Sequence, residues 1–294
     1  MKYDKSEIKN WWNNHSQDYK NDYKNEYLGI DQSEYNDDQF LEYLDSLDKM
    51  FANKAYFAQK PGKTLFSDLI TSIDLHDKNV LEIGCGIGSH SQVIAQKGCN
   101  LSCIDLAERS IEITKRRFKL KNLNANIIQA DCENLPFENN YFDYIWSWGV
   151  IHHTPNTDIA AKEIQRVLKP KGRLDIMVYN NNSLYKFLNV YIRYGIFNLK
   201  FLKGYTKQDL KNKYTDGKEI GGAPLSKYYS KKELINLFPN LKLASSKCYE
   251  QKTFFSFWIP QRYKIRFEKF IPDYLYTYLF KDIGFLLFAN FIKD

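Results

Sequence analysis

The spacing of hydrophobic positions changes near residue 79. Before it, Phe40, Leu44, Leu47 and Phe51 recur at intervals of four, three and four, and Trp12, Tyr19, Tyr23 and Tyr27 at seven, four and four. Each set predicts one face of an amphipathic helix, since residues three and four apart share a side of the helical turn. Pro61-Gly62 breaks the run. From Asn79 onward, short apolar runs at 80–83, 101–104, 127–128, 142–146 and 174–178 predict strands. Between them lie helical patterns at about 89–97, closed by Gly98, and at 108–119. A third, carrying Ile159, Ile164, Val167 and Leu168, ends at a Lys169-Pro170-Lys171-Gly172 turn. Strands alternating with helices predict a parallel sheet with right-handed crossovers.

After Tyr179 the pattern predicts an aromatic helical stretch to about Lys203 and a polar loop at 216–224. Ser230-Lys231-Lys232-Glu233 reads as a capping box opening a helix that Pro239 ends, and late strands follow at 241–249 and 285–292. The predicted fold is α/β, a doubly wound, mostly parallel seven-stranded sheet. Its expected divisions are a helical cap over 1–78, a ligand-binding core over 79–180 and substrate-side helices with late strands over 181–294.

Composition changes this picture in one place. Residues 181–294 carry 20 of the 42 Lys/Arg but only 9 of the 35 Asp/Glu, together with 26 of the 47 aromatic residues. Basic and aromatic side chains so interleaved suit an acidic ligand, nucleic acid or a membrane surface. The longest apolar runs are too short for a bilayer span, and the opening residues form no signal-like segment, so a soluble, cytoplasmic protein is expected. Five cysteines without a CxxC pair predict reduced thiols and no zinc site.

The strongest chemical signal is Glu82-Ile83-Gly84-Cys85-Gly86-Ile87-Gly88, at the end of the first parallel strand and the start of a helix. Glycines there permit a tight turn and let a ligand lie against bare backbone at a helix N-terminus. Twenty-one residues after Gly84, at the end of the next strand, Asp105 stands where a carboxylate can accept from both hydroxyls of a ribose. Together these predict an adenosine-containing cofactor. Dinucleotide binding favours G-x-G-x-x-G, whereas the spacing here is G-x-G-x-G, with Ser89 at the place of the third glycine.

This stretch resembles the first motif of the class I S-adenosylmethionine-dependent methyltransferases. Residues 130–137 (Ala130-Asp131-Cys132-Glu133-Asn134-Leu135-Pro136-Phe137) resemble the family's third-strand loop, 142–153 its fourth strand and following loop, and 166–172 the turn into its fifth strand. The resemblance covers about 79–180 and is nearest to enzymes that modify small molecules and lipid-like quinone or sterol precursors. It implies S-adenosylmethionine as cofactor. Glu82 would orient the methionine amino group, with Gly84, Cys85, Gly86 and Gly88 forming the turn beside it and Asp105 holding the ribose. Leu106 and Cys132 would border adenine and Asp131 would meet its amino group, while Ser147 and Trp148 would lie beside the methionine end. Tyr19 would close over the methionine carboxylate. Ala107 stands where the family often has Ser, and Lys171 where it often has Gly.

His152 and His153 follow the fourth strand at the carboxyl edge of the sheet, where open α/β folds bind ligands, and are the candidate general bases. Packing or hydrogen bonding below the cofactor is the competing reading. The sequence has no Asn/Asp-Pro-Pro-Tyr after the fourth strand and no Pro-Cys pair, which disfavours the familiar base-methylating chemistries. The acceptor is expected to be a small or lipid-linked molecule, with a nucleic-acid-modifying or nucleic-acid-binding protein as the alternative. At 254–271, Tyr263, Phe267, Phe270 and Ile271 interleave with Arg262, Lys264, Arg266 and Lys269, which predicts a basic amphipathic helix suited to a substrate wall or a membrane surface.

Overall fold

The computed structural model describes residues 3–15, 20–21, 26–27, 35–51, 67–70, 73–217, 220–250 and 272–294. Its centre is a seven-stranded sheet built from β3 (Asn79–Ile83), β4 (Asn100–Asp105), β5 (Asn126–Gln129), β6 (Phe142–Trp148), β7 (Leu168–Tyr179), β8 (Leu241–Tyr249) and β9 (Leu286–Lys293). Across the sheet their order is β5-β4-β3-β6-β7-β9-β8. β3, β4, β5, β6 and β7 pair in parallel, while β9 inserts antiparallel between β7 and β8. Chain order reverses between β3 and β6, the place where such sheets leave a crevice at the carboxyl ends of the strands.

Both faces of the sheet are covered, so its inner strands read as continuous apolar runs rather than alternating ones. On one side, Val80, Leu101, Cys103 and Trp146 pack with Phe40, Leu44 and Leu47 of α2 (Asp37–Met50) and Ile70 of α3 (Ser67–Ile70). Val93 and Ile94 of α4 (Ser89–Ala95) and Ile111 and Phe118 of α5 (Glu108–Leu120) complete that layer. On the other side, Leu81, Ile83, Ile104 and Ile145 pack with Ala161 and Ile164 of α6 (Thr157–Val167) and Leu234 of α8 (Lys231–Leu237). Strand alternation therefore aims Glu82 toward α4 and α5. The predicted capping box opens α8, with Ser230 and Glu233 each bonding the other's backbone N–H.

Three expectations are corrected. α1 (Lys5–His15) contains Trp12, but Tyr27 lies in β2 (Glu26–Tyr27), opposite Lys20 of β1 (Lys20–Asn21), so no single helical stripe joins them. The weak helix formers Asn13, Asn14 and His15 end the helix. Tyr19 and Tyr23 lie outside the described residues, as does 254–271. The aromatic stretch after Tyr179 forms a wide-turned helix that stops at Phe197 (Lys186–Phe197), and a separate α7 (Lys207–Tyr214) follows, capped by Thr206 and Asp209. Residues 169–172 are an irregularity inside β7 rather than a turn before it: Phe142 pairs with Leu168, and the next pair is Tyr144 with Arg173. Lys171 adopts φ 63° there, the left-handed conformation that explains a glycine at this place in similar proteins.

Candidate active site

The glycine turn is built by its backbone. Gly84, Gly86 and Gly88 all have positive φ (77°, 54° and 78°), and Gly84 and Cys85 both donate their N–H groups to the Ile104 carbonyl, at 2.8 and 3.0 Å. A Cβ on Gly84 would lie 2.1 Å from Val150 Cγ2, so this residue is glycine for two reasons at once. At Gly86 a Cβ would meet nothing within 4 Å, which leaves open space over the turn.

Asp105 ends β4 beside this turn. Its Oδ2 accepts from Gly86 N–H and its Oδ1 from Ala107 N–H, both at 2.9 Å, so the carboxylate is oriented by amides of the two loops that flank it. Burial raises its pKa. Leu106 follows directly and accepts through its carbonyl from Gln129 Nε2. After β5, Asp131 accepts from Glu133 N–H at 2.9 Å and from Lys5 Nζ at 2.6 Å, while burial pushes the neighbouring Cys132 thiol up to about 12 and keeps it neutral.

Lys5 belongs to α1 and also pairs with Glu133 at 2.5 Å. Burial alone would raise the Glu133 carboxyl, but Asn156, Lys5 and Thr154 bring it down to about 2. Further along α1, Asn13 accepts from Arg109 N–H at the start of α5, and the Trp12 ring sits 5.0 Å from that of His153. The helix therefore spans the carboxyl edge from the β5 loop to the β6 loop. Sequence reasoning missed Lys5, because nothing local links it to a residue 126 positions away.

Glu82 is buried under the turn. Its Oε2 accepts from Ser91 Oγ, while Oε1 has no hydrogen-bond partner among the described residues and faces His90 Nδ1 at 3.7 Å. That nitrogen accepts from Trp146 Nε1, and burial pulls His90 down to about 3, so the ring is neutral and forms no ion pair with Glu82. Burial, with no cation in hydrogen-bonding contact, pushes Glu82 up to about 8. A second carboxylate, Asp48 of α2, accepts from Ser89 Oγ, Gln92 Nε2 and Arg117 Nη1, tying α2 to α4 and α5. Asp48 was also missed; its signal is its place four residues after Leu44, on the helix's apolar face.

At the other end of the crevice, Ser147 is buried with its hydroxyl unbonded among the described residues, and Trp148 stacks on Trp146 with ring centroids 5.6 Å apart. His152 is fully buried, and neither ring nitrogen has a hydrogen-bond partner among the described residues. Its ring lies 4.0 Å from that of Tyr179, and burial holds its pKa well below the ordinary histidine range. His153 is fixed differently: Nδ1 bonds the Leu225 carbonyl at 2.6 Å, and Nε2 faces Asp216 at 3.5 Å. Asp216 also accepts from the Tyr179 hydroxyl at 2.7 Å. Tyr179 and Asp216 are additional polar groups at this end, contributed from outside the recognisable motifs.

The site thus combines a bare-backbone turn, a carboxylate oriented by two backbone amides and, among the described residues, a buried carboxylate oxygen without a hydrogen-bond partner, which suits an ammonium group. Residues 81–176 match the family model described as a methyltransferase domain. A sterol 4-C-methyltransferase of Caenorhabditis elegans is 35% identical over 114 residues, 38% of this chain and 34% of that one. A ubiquinone biosynthesis O-methyltransferase of Coxiella burnetii is 30% identical over 156 residues, 52% of this chain and 66% of that one. The chain therefore spans from about a third to just under two thirds of the length of these relatives. Among solved structures, a SAM-dependent methyltransferase from Methanosarcina mazei superposes with a TM-score of 0.53 at 19% identity, covering 78% of this chain and 98% of that one. A 4+2 cyclase, SpnF, superposes with a TM-score of 0.51 at 15% identity over 78% of this chain and 79% of that one, so the fold by itself does not select a reaction. Residues 81–176 thus carry a methyltransferase domain, and on the motifs, the fold and the relatives together the chain is similar to the class I S-adenosylmethionine-dependent methyltransferases.

Proposed function

We propose that the protein transfers a methyl group from S-adenosylmethionine to a small or lipid-linked molecule. The observation that carries this reading is the glycine turn with open space over Gly86 and the Asp105 carboxylate held by the Gly86 amide. In it, Asp105 receives the ribose hydroxyls, Leu106 and Cys132 border adenine, Asp131 meets the adenine amino group, and Glu82 Oε1 takes the methionine ammonium. Gly84, Cys85, Gly86 and Gly88 line the turn, and Ser147 and Trp148 flank the methionine end. Tyr19, outside the described residues, is assigned to the methionine carboxylate in the same reading. The bound cofactor supplies an already reactive sulfonium methyl, so the protein's task is alignment and exclusion of water.

His152 is the residue for a proton on the acceptor: a neutral, buried ring with a free nitrogen accepts a proton without first losing a partner. His153, held by Leu225 and facing Asp216, positions it. The division into a cap over 1–78, a cofactor-binding core over 79–180 and a substrate side over 181–294 is part of the same proposal. So is a cytoplasmic setting, which suits five cysteines that form no disulfide. Among the described residues, no helix is long and apolar enough to cross a membrane.

The test is ligand-dependent melting. S-adenosylhomocysteine raises the melting temperature by mass action and NAD does not. Asp105→Ala loses about 1.5–3 kcal/mol of charge-assisted bonding, and the shift shrinks accordingly. Stabilisation by NAD alone would refute the proposal.

A further inference from the structure

The basic and aromatic residues of the C-terminal third converge at one place. Lys186, at the start of the Lys186–Phe197 helix, holds its ammonium 5.7 Å from the centre of the Tyr191 ring and 5.8 Å from that of Tyr228. Lys207 of α7 lies 5.9 Å from Tyr191, and Lys211, one turn on, 5.7 Å from Tyr228. Three ammonium groups from two helices thus surround two tyrosine rings.

Such a gathering of like charge opposes folding unless an anion joins it. Lys186 donates to the Asn181 carbonyl and, at 2.6 Å, to Asn181 Oδ1, both neutral acceptors. Among the described residues, Lys207 and Lys211 have neither a hydrogen bond nor an ion pair. The acid that acts on Lys186 and Lys211 is Glu233, but its carboxylate caps α8 through Ser230 N–H at 2.7 Å. Burial lowers the Lys211 pKa, and burial followed by the charge of Lys211 lowers that of Lys186. Both ammonium groups give up water without gaining a carboxylate.

We infer that Lys186, Lys207 and Lys211, set over Tyr191 and Tyr228, bind a phosphate-class oxyanion carried by the methyl acceptor. Lysines serve phosphate as point charges, and three of them match a multiply charged oxyanion better than a single carboxylate. The Tyr228 ring lies 5.5 Å from Tyr179, whose ring covers His152, so the anion site stands one tyrosine away from the proposed reacting end. Only the words "methyl acceptor" rest on the proposed function; the anion site does not.

The probe is inorganic pyrophosphate at constant ionic strength, with acetate as the carboxylate control. Pyrophosphate raises the melting temperature of the wild type by about 3 °C near saturation, and acetate does not. The shift disappears in Lys186→Gln/Lys211→Gln and persists in Lys242→Gln, whose exposed lysine belongs to β8 and pairs with Asp294. Should the double variant not fold, Lys207→Gln weakens pyrophosphate binding about fivefold, one exposed charge's worth. No shift in the wild type, or an equal shift in the variants, overturns the site. Stabilisation by S-adenosylhomocysteine persists in every lysine variant; its failure in the wild type would count against the methyltransferase proposal alone. Lysine-dependent flotation on phosphatidylcholine vesicles containing phosphatidic acid assigns the phosphate to a lipid headgroup. Pyrophosphate binding without flotation assigns it to a soluble acceptor, and both results support the site.

Discussion

On the β3–β4 side of the crevice, the parts nearest the proposed cofactor come from short stretches of chain: three glycines within five residues, and a carboxylate bonded by the Gly86 and Ala107 amides. On the β6–β7 side, the walls are side chains from distant positions: His152, Tyr179, Asp216, Tyr228 and Phe285, whose rings and hydroxyls meet only after folding. The first construction fixes a ligand by backbone geometry and tolerates little change of residue. The second fixes shape and charge by side chains and is free to vary with the acceptor. A common cofactor and a variable acceptor call for this division of labour.

The contrast is sharpest at Glu82, the charged exception on the backbone-built side. Its carboxyl is moved from 4.5 to about 8 in the folded protein by burial. The native state therefore binds a proton that the unfolded state has lost, and stability falls as pH rises between those values, by a total on the order of 5 kcal/mol through linkage. Glu82→Gln removes this loss. Denaturant melts of variant and wild type should diverge in favour of Gln from about pH 5 to about pH 8; parallel curves would show that Glu82 ionises normally. A cofactor ammonium at Oε1 would favour the ionised form, so S-adenosylhomocysteine binding by the wild type should release a proton that the Gln variant does not.

Gly84 and Gly86 test the backbone side directly. Gly84→Ala combines a left-handed backbone with a 2.1 Å approach to the stiff, β-branched Val150 and should cost about 4 kcal/mol. Gly86→Ala, with equal φ strain in kind but open space, should cost about 1 kcal/mol and act mainly on cofactor affinity. Equal losses of stability in the two variants would mean that backbone conformation, not close approach, decides both.

The same contrast explains what the sequence made legible. The strand–helix alternation, the glycine turn and the Ser230 capping box are local patterns, and each appears where its spacing places it. The insertion of β9 between β7 and β8 is not local, since an apolar strand carries no mark of its neighbours. Lys5 with Asp131, Asp48 with Arg117 and Tyr179 with Asp216 are likewise pairs across 126, 69 and 37 residues, formed by topology rather than by any motif. Irregular β7 shows the reverse failure: Lys169-Pro170-Lys171-Gly172 has turn chemistry, yet strand pairing resumes around it.

His152 probes the side-chain-built half. His152→Ala should lower kcat about a hundredfold, near 3 kcal/mol of barrier, while the S-adenosylhomocysteine shift stays intact. Because burial lowers its pKa well below the ordinary histidine range, the acid limb of the wild-type rate profile should also lie below that range. Loss of stability with unchanged kcat per folded molecule would make His152 a packing residue.

The smallest effect concerns the seam between α1 and the core. α5 begins after Ala107, at φ −83° and ψ 122°, with no side-chain cap. Arg109 N–H instead donates across to Asn13 Oδ1 of α1 at 3.4 Å, a long bond, while Ala107's own N–H is taken by Asp105. Replacing Ala107 with serine, the residue frequent at this place in similar proteins, would put a hydroxyl beside the amides of the first turn, a substitution worth about 1 kcal/mol at an N-cap. Ala107 is fully buried, so that hydroxyl gains only if it reaches the Arg109 or Ser110 amide. Ala107→Ser should raise the melting temperature by about 2 °C. If it supplants the bond from α1, Asn13→Ala should then cost less in the Ala107→Ser background than in the wild type, a coupling that a double-mutant cycle reads directly. A neutral or destabilising Ala107→Ser would show that the first turn of α5 is already satisfied by Asn13, and that α1 completes this edge of the site.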